Sequence, residues 1–101
     1  MLEKKRCLLV GIEAGGAKKL TGEEAKALVY EAVFSLLGEE GAARANVQLK
    51  EFSGEKQKLI LKCANKQVDA VIAALAAKTE FRGSRLAIRL ERISGMIGKL
   101  I

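Results

Sequence analysis

A chain of 101 residues has room for a single hydrophobic core, so one domain over residues 1–101 is expected. Half of its residues are hydrophobic and 30% are charged, which excludes a disordered chain; its apolar runs are broken well short of the roughly 20 residues that span a bilayer. The net charge is +6 and there is no histidine, so the commonest general base and the commonest metal ligand are both missing. A soluble, cytoplasmic protein with no membrane contact is the expectation.

The charge is unevenly spread. Lys4, Lys5 and Arg6 against Glu3 give the first six residues +2, and Arg82, Arg85, Arg89, Arg92 and Lys99 against Glu91 give the last twenty +4. The stretch between them is therefore neutral, and the excess basicity lies at the two ends.

In chain order, residues 6–13 form a continuous apolar run suited to a strand buried on both faces at the centre of a sheet. Thr21-Gly-Glu-Glu24 has the spacing of a capping box, and Ala25, Leu28, Val29, Ala32 and Leu36 follow at helical intervals up to Gly38. That predicts a helix over about 22–37. Residues 46–52 and 57–64 read as two strands of a hairpin turning at Ser53-Gly54. Asn65 is placed to cap a second helix carrying Val68, Val71, Ile72, Leu75 and Ala76. After a turn at Arg82-Gly83, a last strand points Leu86, Ile88 and Leu90 one way and Arg85, Ala87 and Arg89 the other. Its alternation fails at Arg92 and Ile93, which predicts a bulge or a strand end near Glu91.

The order βαββαβ is that of the ferredoxin-like, split βαβ architecture of class α+β. The expectation is an antiparallel four-stranded sheet with two main helices on one face and a short C-terminal tail or helix. In that topology the last strand lies against the first, which joins the two basic ends into one patch. The face without helices needs cover, because the first strand is apolar on both sides. Met96, Ile97, Leu100 and Ile101 suit either a tail folded onto its own sheet or a contact for a partner.

An active site is not legible. Cys7 and Cys63 both sit in apolar runs, as reduced core cysteines do, and there is no Cys-x-x-Cys. Gly11 to Lys18 echoes a phosphate-binding loop only faintly, since Ala17 stands at the lysine position. An acyl-phosphate hydrolase would need arginine and asparagine in the first loop, and residues 14–19 contain neither. Positive charge without catalytic groups points to a polyanion, with arginine favoured where bidentate phosphate contact is made. No aromatic ladder on the first and third strands offers bases a stacking platform, so backbone and shape recognition is expected. The other reading is a ferredoxin-like homodimeric assembly or regulatory domain that binds no nucleic acid.

Several stretches carry a resemblance: Lys5-Arg6-Cys7-Leu8-Leu9-Val10, Leu59-Ile60-Leu61-Lys62-Cys63 leading into the helix from Val68, and above all Ile88-Arg89-Leu90-Glu91-Arg92-Ile93-Ser94-Gly95-Met96-Ile97. Together they resemble the archaeal and eukaryotic ribonuclease P protein component 2 family, also found in RNase MRP. Met96 stands where the family's tail usually has threonine. The resemblance implies a non-catalytic subunit of an RNA-based endoribonuclease that removes the 5′ leader of precursor tRNA, with Mg²⁺ held by the RNA and no cofactor on this chain. It also implies a pairing with ribonuclease P protein component 3, further association into a homodimer or heterotetramer, and indirect contact with precursor tRNA. The expected RNA-binding residues are Lys4, Lys5, Arg6, Arg85, Arg89, Arg92, Ser94, Gly95 and Lys99. Those expected to meet a protein partner are Leu9, Met96, Ile97, Leu100 and Ile101.

Overall fold

A computed structural model describes residues 5–14 and 19–94. Strand β1 (Lys5–Ala14) is followed by helix α1 (Gly22–Ala45) and the strands β2 (Gln48–Ser53) and β3 (Lys58–Ala64). A single 3-10 turn (Asn65–Gln67) leads into helix α2 (Val68–Ala77), and the short strand β4 (Glu80–Phe81) precedes β5 (Ser84–Ser94). The sheet runs β2-β3-β1-β5-β4 with every pairing antiparallel. The first strand is central, and the last lies against it as expected.

Five strands stand where the sequence pattern gave four. The additional strand, Glu80–Phe81, is two residues long and lies just before the expected turn at Arg82-Gly83. Glu80 and Phe81 pair with Arg85 and Ser84, and Arg82 and Gly83 close the hairpin at φ 52° and 83°. Two successive positive φ values are what a two-residue hairpin loop matching the strand twist requires. Phe81 is buried in the main core.

The capping box at the start of α1 is formed as its spacing predicts: Thr21 Oγ1 accepts from the Glu24 amide at 3.2 Å, and Glu24 Oε1 accepts from the Thr21 amide at 3.0 Å. Gly38 does leave helical geometry, at φ 73° and ψ −179°, yet the chain kinks there and resumes helix to Ala45. The second helix is not capped by Asn65, which opens the 3-10 turn with no side-chain cap. Its Oδ1 instead accepts from Arg6 Nε at 2.8 Å, tying the start of β1 to the turn after β3.

Both helices pack on one face of the sheet. Ala25, Leu28, Val29, Ala32 and Val33 of α1 and Val71 and Leu75 of α2 share one core with Leu8, Val10, Ile12, Leu59, Leu61, Cys63, Leu86 and Ile88. Leu90 departs from the pattern, being 37% exposed, because the helical layer reaches Leu86 and Ile88 and stops short of it. On the opposite face Cys7 and Ile60 are buried beside Leu9, a second and smaller cluster. Both cysteines are free and buried.

Gln57, itself at φ 54°, locks the loop before α1 to the β2–β3 turn. Its side-chain oxygen accepts from the Leu20 amide at 2.9 Å, and its Nε2 donates to the Leu20 carbonyl at 3.1 Å and the Gly54 carbonyl at 2.8 Å. Its main-chain carbonyl accepts from the Ile12 amide at 2.9 Å. This ties the start of α1 to the β2–β3 turn and to β1 at Ile12.

Candidate nucleic-acid interface

Side chains alternate across a strand, so the residues out of phase with the core face the side away from the helices. The cross-strand registers arrange them in three rows across β2, β3, β1 and β5: Gln48, Lys62, Cys7 and Ser94; Glu51, Ile60, Leu9 and Arg92; Ser53, Lys58, Gly11 and Arg89. Lys5 extends the first strand on the same face, beside Ala64. The small apolar cluster sits in the middle of this lattice, with cations around it.

The predicted bulge makes the lattice possible. Leu9 pairs with Arg92 and Val10 with Leu90, which leaves Glu91 as the extra residue on β5. The added residue reverses the phase below it. Arg92 thereby joins Arg89 on the helix-free face, and Ile93 comes opposite Leu8 on the helical side.

The sequence-predicted basic residues are brought together in part. Lys5, Arg89 and Arg92 share the face, with the backbone of Ser94 in the row of Cys7. Arg6 is out of phase with them and is held by Asn65. Arg85 is on the same strand face but at its far end, opposite Glu80, about 20 Å from Arg92 at the rise of a strand. Lys4, Gly95 and Lys99 lie outside the described residues, as do Met96, Ile97, Leu100 and Ile101. Leu9, read as a partner contact, is half-buried against Cys7 and Ile60.

Two lysines were missed. Lys58 and Lys62 lie in the neutral middle of the sequence, so a tally of charge along the chain passes over them. Their signal was available in the alternation of β3, where Leu59, Leu61 and Cys63 face the core and Lys58, Ile60 and Lys62 the other way.

Carboxylates temper the patch. Glu91 Oε1 meets Lys58 Nζ at 2.9 Å, and Glu13 Oε1 meets Arg89 Nη1 at 3.4 Å. Counted together, Lys5, Lys58, Lys62, Arg85, Arg89 and Arg92 against Glu13, Glu51, Glu80 and Glu91 leave this face at +2. Lys58 and Lys62, like Arg85 and Arg89, are four residues apart along their strands, a spacing of about 13 Å. Such an array of side-chain donors can neutralise a run of phosphates. Among the described residues, no three His, Cys, Asp or Glu side chains are grouped to hold a metal ion. Burial, and then the nearby Cys7, push the Cys63 thiol above its ordinary range, the opposite of what a nucleophile needs.

The family model described as Rpp14/Pop5 family matches residues 6–100. The chain is similar to Ribonuclease P protein component 2 of Pyrococcus abyssi, 34% identical over 81% of this chain and 70% of that protein. It is likewise similar to the protein of that name from Pyrococcus horikoshii, 32% identical over 97% of this chain and 80% of the relative, and from Thermococcus kodakarensis, 32% identical over 90% and 76%. A chain in the cryo-EM structure of yeast Ribonuclease MRP shares the fold, with a TM-score of 0.73 at 11% identity, over 94% of this chain and 76% of that one. The chain belongs to the Rpp14/Pop5 family. Within that family, the archaeal relatives it matches all carry the name of the second protein component of ribonuclease P.

Proposed function

We propose that this chain is a protein subunit of ribonuclease P, taking part in 5′ maturation of precursor tRNA by holding the catalytic RNA against the face of its sheet that carries no helix. The reading rests on one observation above the others: the registers of β1, β3 and β5 set Lys5, Lys58, Lys62, Arg89 and Arg92 side by side on that face. Family membership supports it and does not favour an assembly domain that binds no nucleic acid. The chain contributes no reacting group. It positions and neutralises phosphate, and the Mg²⁺ of the reaction belongs to the RNA. Ser94, in the row of Cys7, and Gly95 and Lys99 after it in sequence add to the RNA-binding set, and ribonuclease P protein component 3 is its protein partner in a cytoplasmic ribonucleoprotein.

The test is binding to ribonuclease P RNA across a salt series, beside an unrelated structured RNA of equal length. Tighter binding to the cognate RNA, and precursor-tRNA cleavage restored at low Mg²⁺ only with both proteins present, are the expected results. Equal, weak and steeply salt-dependent binding to both RNAs would reduce the patch to a generic polyanion surface.

A further inference from the structure

The β2–β3 edge of the helix-free face holds a hollow of about 420 Å³, with Leu9, Ile60, Glu51, Ser53, Lys56 and Lys58 in its lining. A second bulge shapes it. Leu49 pairs with Leu61 and Glu51 with Ile60, so Lys50 is an extra residue on β2. The phase of the strand turns over at that point: Phe52 packs against the main core, and Glu51 and Ser53 come to the face without helices. A carboxylate is thereby set in one row with the buried Ile60 and the half-buried Leu9.

The hollow carries opposite charges that are not matched to each other. Glu91 holds Lys58 at 2.9 Å, whereas among the described residues Glu51 and Lys56 are exposed and in no ion pair. A carboxylate and an ammonium at one hollow suit a ligand with N–H donors at one end, negative charge at the other and an apolar face between. A nucleotide is such a ligand, and the volume falls in the range of small-molecule sites. An arginine from a protein would satisfy Glu51 but would meet Lys56 and Lys58 as like charges. The carboxylate also selects the base, because an ionised carboxylate only accepts hydrogen bonds. Guanine presents two adjacent N–H groups, N1 and N2, on its Watson–Crick edge, which match the two carboxylate oxygens. Adenine and cytosine set an acceptor nitrogen beside their amino group, and uracil sets its one N–H between two carbonyls. Each of those three therefore turns a lone pair toward Glu51.

We propose that this hollow takes one unstacked guanine nucleotide of the RNA. Glu51 accepts from N1–H and N2–H, Leu9 supports the ring, and Lys56 meets the phosphate. This deepens the subunit reading above and rests on it, because it takes RNA to lie on the helix-free face. The remaining cations of that face bind phosphate whatever the sequence, and the hollow adds a preference at one position.

The test uses the full chain and fluorescent uridine oligomers that carry guanine, adenine, cytosine or inosine at one central position. Anisotropy measures binding for wild type, Glu51→Ala and Lys56→Ala; both side chains are exposed, and circular dichroism checks that the fold is kept. In wild type the guanine oligomer is expected to bind about tenfold tighter than the adenine, cytosine and all-uridine ones. Inosine, which lacks the N2 amino group, should fall in between. Glu51→Ala should cut the guanine advantage to about twofold or less. Lys56→Ala should keep the advantage and lower the salt slope for every oligomer by about 0.7, one phosphate contact on a single strand. Equal binding of all oligomers by wild type, or a guanine advantage that survives Glu51→Ala, overturns the inference. Ribonuclease P RNA bound more tightly than an unrelated structured RNA in the same series would then leave the subunit reading standing. A guanine advantage in a chain that does not distinguish those two RNAs supports the hollow and overturns the subunit reading alone. If Glu51→Ala keeps every RNA affinity and loses affinity for ribonuclease P protein component 3, the occupant is a protein and the inference falls.

Discussion

The carboxylate of Glu91 lies over Gly11 and reaches across β1 to Lys58, which sits two strands away. A Cβ at position 11 would collide with that carboxylate, so the absence of a side chain there is what lets the ion pair span the central strand. The pair is partly exposed, at 42% and 34% for its two side chains, so it contributes only about 0.5 kcal/mol to stability. Its larger effect is on charge, because it neutralises one cation of the proposed interface. Glu91→Gln is expected to tighten RNA binding about threefold to tenfold, roughly 0.7 to 1.4 kcal/mol. Gly11→Ala should act in the same direction by pushing the carboxylate aside, with a stability change within about 1 kcal/mol because the displaced group is the end of a flexible chain. Filter binding and thermal unfolding of the two variants check this; unchanged affinity in both would remove Glu91 from the site.

Position along β5 and β3 separates the cations. Lys62 and Arg92 flank the centre of the lattice, in the rows of Cys7 and Leu9, whereas Arg85 sits at the far end of β5. Lys62→Ala and Arg92→Ala are each expected to lower the salt slope of RNA binding by about 0.7 to 0.9, the loss of one phosphate contact. Arg85→Ala should leave it nearly unchanged. Binding isotherms at four or more salt concentrations decide it, and a slope lowered by Arg85→Ala but not by Lys62→Ala would place the RNA on the other end of the sheet.

Much of this arrangement was legible in the sequence because it rests on local rules. The capping box at Thr21, the turn at Arg82-Gly83 and the bulge at Glu91 each follow from a short residue pattern and a steric requirement. Asn65 misled because its side chain met a better partner, Arg6, from a strand distant in sequence, and a tertiary contact of that kind leaves no periodic trace. Two-residue β4 is too short to show an alternation at all. Lys58 and Lys62 show where charge counting fails: what matters at an interface is which face a cation occupies, and that depends on phase along the strand, not on the local net charge.

Burial of Cys63 gives the domain a pH dependence on its alkaline side. The folded state raises the thiol above its ordinary value of 9.0, so above that pH the unfolded chain loses the proton more readily than the folded one. Stability is therefore full below about pH 9 and falls as pH rises further, with a slope of at most about 1.4 kcal/mol per pH unit from this one group. Urea unfolding at a series of pH values should show a shallower alkaline decline in Cys63→Ala than in wild type, whatever the substitution does to stability at neutral pH. Parallel curves for the two proteins would mean that other groups govern the decline. At neutral pH both thiols should resist alkylation until the chain is unfolded.

Gly38 provides the last check, on the kink that shapes α1. At φ 73° and ψ −179° it occupies backbone space that is essentially closed to residues with a Cβ, although there is nothing within 4 Å for that atom to strike. The cost of a substitution is thus conformational and not steric crowding. Gly38→Ala is expected to destabilise the domain by about 1 to 3 kcal/mol, measured by urea unfolding. A continuous helix through position 38 would redirect the segment that carries Ala45 and the chain leading to Val47, both buried in the core. The domain therefore cannot relax the strain by straightening without losing that packing. A second variant, Gly38→Asn, should show a comparable loss, because asparagine's tolerance of positive φ belongs to the left-handed helical region and not to ψ −179°. Equal stability for wild type and Gly38→Ala would mean that the kink is not fixed by this residue.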